Sequence, residues 1–77
     1  MKAYVLITIR TGDMQSVVRH LQSVTGIIEA SMTFGPYDAV ATVEAKDVNA
    51  IGKILYSQIQ PIPGVLETLT CLAVETE

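Results

Sequence analysis

Gly35-Pro36-Tyr37-Asp38 sits between two apolar runs, Ile27 to Phe34 and Ala39 to Ala45, and that arrangement leaves few folds open. Runs joined by so short a link fold as adjacent antiparallel strands, because a parallel crossover needs a dozen residues or more. The hairpin occupies the middle of the chain, so the segments on either side must supply the rest of the sheet and its cover.

Tyr4 to Ile9 is rich in β-branched and aromatic residues and reads as the first strand. Its two alternating sets, Val5/Ile7/Ile9 and Tyr4/Leu6/Thr8, are both largely apolar, which predicts that both faces are covered. Thr11-Gly12-Asp13 interrupts the strand, with Asp13 as the expected N-cap of a helix. Val17, Val18, Leu21 and Val24 form one buried face of that helix, Arg19, His20 and Gln22 fall mostly on the other, and Gly26 supplies a stop. The second strand, Ile27 to Phe34, alternates Ile28, Ala30 and Met32 against Glu29, Ser31 and Thr33. The third runs from Asp38 to Glu44. Asp47 caps a second helix with an apolar stripe of Val48, Ile51, Ile54, Leu55 and Ile59, ended by Pro61, Pro63 and Gly64. The last strand spans Val65 to Glu75, with Val65, Leu69, Cys71 and Ala73 on one side and Leu66, Thr68, Thr70, Leu72 and Val74 on the other.

The order β-α-β-β-α-β, with right-handed crossovers on a shared sheet, predicts an α+β fold of ferredoxin-like type. Both helices cover one face of a four-stranded antiparallel sheet. The opposite face carries Tyr, Leu, Val and Thr, and packing against a second copy would cover it. Length and composition agree. Residues 1–77 suffice for one small domain, yet 49% of them are hydrophobic and only 17% charged, so surplus apolar surface is expected at a subunit interface.

The net charge is −3, and Lys2, Arg10, Arg19, Lys46 and Lys53 are scattered singly. Direct nucleic-acid binding needs clustered cations, so it is not expected. The apolar runs fall short of the roughly 20 residues a membrane helix requires. Met1-Lys2-Ala3-Tyr4-Val5 reads as a strand and not as a signal peptide, and the lone Cys71 permits no internal disulfide. A cytoplasmic protein is expected.

Turn residues that offer free backbone groups, a carboxylate and a phenol are equipped to hold a small zwitterion. The same residues also suit a plain turn, with Asp38 bonding its own backbone, Gly35 supplying a positive φ and Tyr37 packing at a subunit boundary. His20 has no ligand-spaced partner and reads as a solvated surface residue, so no metal site is expected. Cys71 reads as a buried small hydrophobe. No cofactor is indicated.

Three segments carry a family resemblance. Gly26-Ile27-Ile28-Glu29-Ala30, the turn Gly35-Pro36-Tyr37-Asp38, and Pro63-Gly64-Val65-Leu66-Glu67-Thr68-Leu69-Thr70 occur in the order and spacing of the effector-binding domain of the Lrp/AsnC feast/famine regulators. The chain resembles that domain over nearly its whole length, in a stand-alone form without the family's helix-turn-helix. The resemblance implies sheets paired into dimers, dimers assembled into octameric or decameric rings, and an amino-acid effector between dimers. Carried over residue by residue, it points to Gly35, Tyr37, Asp38, Thr68 and Thr70. Asp38 would take the ligand ammonium, the amides of Gly35, Tyr37 and Asp38 its carboxylate, and the two threonines would add hydroxyl contacts.

The expected function is therefore non-enzymatic: a module that binds a free amino acid or similar metabolite and assembles, in the transcriptional regulation of metabolism. By analogy its partners are copies of itself and full-length regulators of the family. The competing expectation is a small dimeric enzyme with a cavity between sheet and helices. Its candidate groups would be Tyr4, Thr8, His20, Cys71 and Asp38.

Overall fold

The computed structural model describes residues 1–74. They form strand β1 (Lys2–Ile9), helix α1 (Met14–Gln22), β2 (Ile27–Met32), β3 (Ala39–Glu44), helix α2 (Val48–Ile54) prolonged by a π-helical turn (Leu55–Ile59), and β4 (Val65–Leu72). The strands lie in the order β2-β3-β1-β4, each antiparallel to its neighbours. This is the β-α-β-β-α-β ferredoxin-like arrangement expected. β1 and β3 are central; β2 and β4 are the edges.

The core lies between the sheet and the helices. Val5, Ile7 and Val43 from the central strands meet Val17 and Leu21 of α1 and Ile51 and Ile59 of the second helical segment, all fully or almost fully buried. Full burial of each such side chain contributes about 1.5–3 kcal/mol. Val48, assigned to the same stripe by its spacing, is instead exposed. In the π-helical turn the Gln60 amide donates to the Leu55 carbonyl at 2.9 Å, five residues back. That wider turn keeps Ile54 and Ile59, also five apart, against the core.

The two helix starts differ. Asp47 caps α2, its Oδ1 accepting the Ala50 amide at 2.8 Å. Asp13 makes no such bond; its Oδ2 is held by Arg10 through Nε at 2.8 Å and Nη2 at 2.7 Å. The chain reaches β4 through Gly64, at φ +102°, where a Cβ would stand 2.8 Å from both the Cβ and Oδ2 of Asp13. Only glycine fits there.

Register decides which side chains face the helices. Ala3, Val5 and Ile7 pair with Val43, Ala41 and Ala39 on one flank and with Leu72, Thr70 and Thr68 on the other. Directly paired residues share a face, so these point to the helices. Tyr4, Leu6, Val40, Thr42, Leu69 and Cys71 lie on the uncovered face, with Lys2, Glu44 and Glu67 at its margins. Two expectations change. An irregularity between Ile27 and Glu29 turns Ile27 toward the core and leaves Ile28 58% exposed. Cys71 is exposed, because it pairs with Tyr4 on the sheet face that the helices do not cover. The second face of β1 is likewise open within one chain, with Tyr4 42% exposed.

β2 ends at Met32 and β4 at Leu72, each short of its expected end; Glu75, the expected end of the last strand, lies outside the described residues. The two ends of the described chain meet. The Met1 amino group donates to the Ala45 carbonyl at 2.8 Å, and the Ala73 amide donates to the Lys2 carbonyl at 2.9 Å.

Candidate functional site

The hairpin between β2 and β3 is built by hydrogen bonds at its base. The Thr33 amide donates to the Asp38 carbonyl at 2.9 Å, and Thr33 Oγ1 donates to the Tyr37 carbonyl at 2.8 Å. Between them the chain reverses through Gly35, at φ +137°, a conformation other residues rarely adopt. Phe34, Gly35 and Pro36 are exposed, and Tyr37 and Asp38 are half-buried. Phe34 is fully exposed at the tip.

Asp38 joins this hairpin to the end of β1. Its amide donates to the Ile7 carbonyl at 2.8 Å, and its Oδ2 accepts the Ile9 amide at 2.7 Å. The carboxylate thus replaces a backbone carbonyl where the β1–β3 ladder runs out. It does not fold back on its own backbone as an Asx-turn. The Asp38 amide is also committed, which leaves the Gly35 and Tyr37 amides as the turn donors without an internal acceptor among the described residues. A carboxylate has about four lone-pair positions, so the Ile9 bond leaves Asp38 able to accept further donors.

Thr68 and Thr70 lie on the other flank of β1, opposite Ile7 and Val5. Both are half-buried, and Gln60 Nε2 donates to Thr68 Oγ1 at 3.4 Å. Ala39, next to Asp38, and Thr68 both pair with Ile7, so two strand spacings, about 10 Å, separate the hairpin from the threonines. The structure brings Gly35, Tyr37 and Asp38 together and Thr68 and Thr70 together. It does not join the two groups in one cavity of a single chain.

Sequence reasoning missed Ile9, Thr33 and Gln60 as partners of this region. Thr33 carried a local signal, since hydroxyl residues beside a turn bond its backbone. Ile9 and Gln60 carried none, because their roles depend on register.

The groups considered for an enzyme are dispersed. Tyr4, Thr8 and Cys71 are on the open sheet face, His20 is exposed on α1 and Asp38 is at the hairpin. Packed apolar side chains fill the space between sheet and helices. Among the described residues no three His, Cys, Asp or Glu side chains gather as a metal site, and no helix is long and apolar enough to cross a membrane.

Residues 2–77 match the Lrp/AsnC ligand binding domain family. The chain is 38% identical over 60 residues to homocitrate synthase of Saccharolobus islandicus, a stretch covering 78% of this chain and 13% of that enzyme. It is 32% identical over 57 residues to the HTH-type transcriptional regulator Ptr1 of Methanocaldococcus jannaschii, covering 74% of this chain and 38% of the regulator. The chain thus spans well under half the length of these relatives. Among solved structures, TTHA0845 of Thermus thermophilus superposes with a TM-score of 0.93 at 32% identity, covering 99% of this chain and 95% of that one. The fold is also that of the transcriptional regulator NMB0573 of Neisseria meningitidis, solved as an L-Met complex (TM-score 0.86, 14% identity, 96% of this chain and 49% of that one). The chain belongs to the Lrp/AsnC ligand binding domain family.

Proposed function

We propose that the chain is a non-enzymatic regulatory module of the cytoplasm that binds a free amino acid, or a metabolite of similar bipolar chemistry, and assembles with copies of itself. The observation that carries this reading is the hairpin. Gly35 and Tyr37 offer amides to a carboxylate, and Asp38, half-buried and fixed by Ile9, offers an acceptor to an ammonium. The L-Met complex of NMB0573 supports an amino acid as the ligand class. Thr68 and Thr70 belong to the same reading as contacts completed across a subunit boundary, since β1 separates them from the hairpin of their own chain.

Assembly begins at the open sheet face. Tyr4, Leu6, Val40 and Leu69 there form an apolar strip that a second sheet would cover. A ligand held at a contact between such dimers favours one assembly state over another by its differential affinity, and a regulator of the same family reads that state.

The deciding experiment is native mass spectrometry of the purified chain, alone and with a pool of common amino acids. A higher oligomer retaining an amino-acid mass supports the module. A bare dimer indifferent to every amino acid sinks it.

A further inference from the structure

We propose that the cleft between the two helices is a second binding site, for a small organic anion. This open cleft, of about 700 Å³, lies between the end of α1 and the segment formed by α2 and the π-helical turn. Its volume falls within the range typical of small-molecule sites, about 300–1,000 Å³. The site is distant in the fold from the hairpin and shares no residue with it.

Three features select an anion with an apolar body. First, His20 and Lys53 converge on the cleft from different helices, and no acidic residue lines it, although the chain carries a net charge of −3. Neither side chain is held in an ion pair among the described residues, where Arg10 pairs with Asp13. Second, the backbone carbonyls of those same two residues are covered from within the cleft. Ser23 Oγ donates to the His20 carbonyl at 2.6 Å, and Ser57 Oγ donates to the Lys53 carbonyl at 2.5 Å. The His20 carbonyl, which also accepts the Ser23 amide at 3.0 Å, and the Lys53 carbonyl thereby turn less free lone-pair surface to an anion, while the Lys53 ammonium stays available. Third, Val24, Ala50 and Ile54 give the cleft apolar surface, which adds burial for an organic ligand and nothing for a bare inorganic ion.

A cation in the last turn also complements its own helix dipole. Arg19 does this for α1 without lining the cleft, so the dipole does not require His20 to lie there. The Ser57 hydroxyl belongs to the π-helical turn, a distortion frequent at functional sites, and its bond ties that turn back to α2.

The test is an amide NMR titration of the isotope-labelled full chain with 3-methyl-2-oxobutanoate and, separately, with inorganic phosphate. The organic acid should give saturable shifts at His20, Thr25, Ser57 and Gln58, leave Gly35 and Tyr37 unmoved, and bind more tightly than phosphate. Lys53→Glu should weaken binding at least about tenfold, whereas Lys53→Arg retains it. Shifts that never saturate, shifts centred on the hairpin, phosphate binding as tightly as the acid, or Lys53→Glu binding unchanged would each overturn the proposal. Lys53 is exposed, so both variants fold.

Discussion

Asp38 holds the Ile9 amide through its carboxylate at 2.7 Å, and with its own amide bonded to the Ile7 carbonyl it ties the hairpin to the end of the central strand. A candidate ligand group is therefore also a structural group. Its two roles can be separated by the choice of substitution.

Asp38→Ala should cost about 1–3 kcal/mol, because it leaves a part-buried amide without its acceptor. Asp38→Asn keeps an acceptor oxygen and should recover most of that stability while losing the charge that would meet a ligand ammonium. Denaturant unfolding of both variants, paired with amino-acid binding, checks this. Equal destabilisation by the two would mean that the bond to Ile9 is not what Asp38 contributes.

The two helix-start aspartates should behave differently. Asp47→Ala removes a cap and should cost about 1 kcal/mol, or roughly 4–8 °C in melting temperature for a domain of this size. Asp13→Ala removes an exposed pair with Arg10, and pairs of that kind contribute about 0–1 kcal/mol. A thermal melt in which Asp13→Ala is the more damaging would contradict the cap assignment.

Gly64→Ala should be among the more harmful single-methyl additions. It forces a positive φ, at about 1–2 kcal/mol, and places a carbon 2.8 Å from Asp13. Adding Asp13→Gly in the same chain should return part of the loss by removing that contact. No recovery in the double variant would show that the backbone angle and the Val17 side chain, 3.1 Å from the added carbon, are responsible instead.

Leu69→Lys puts a charge in the middle of the open sheet face. It should leave the fold intact by circular dichroism and shift the chain toward monomer in analytical ultracentrifugation. Cys71 on the same face supplies an independent readout: its thiol should be alkylated slowly in the assembled protein and rapidly in Leu69→Lys. Rapid alkylation of both would mean that this face is not the one covered.

Much of the fold is legible because it is periodic. Val17 and Leu21, or Ile51 and Ile59, announce their helices by spacing, and the hairpin is forced by the brevity of its link. The errors arise where one residue shifts the period. An irregularity in β2 exchanges Ile27 for Ile28, and Cys71 reads as interior because strand alternation tells two faces apart without saying which is covered. In the site, the turn residues can be picked out locally. The partner of Asp38 cannot, since Ile9 is 29 residues away and meets it only through the register of β1 and β3. The convergence of His20 and Lys53 is invisible in the sequence for the same reason.

The bond from the Ala73 amide to the Lys2 carbonyl brings the first and last strands side by side, running in opposite directions. A chain that enters and leaves at one end of its own sheet is portable. It can be attached to a larger protein through either terminus without threading the host or disturbing its own core. The similarity of this chain to a short stretch of a larger enzyme and to part of a regulator is in keeping with that geometry.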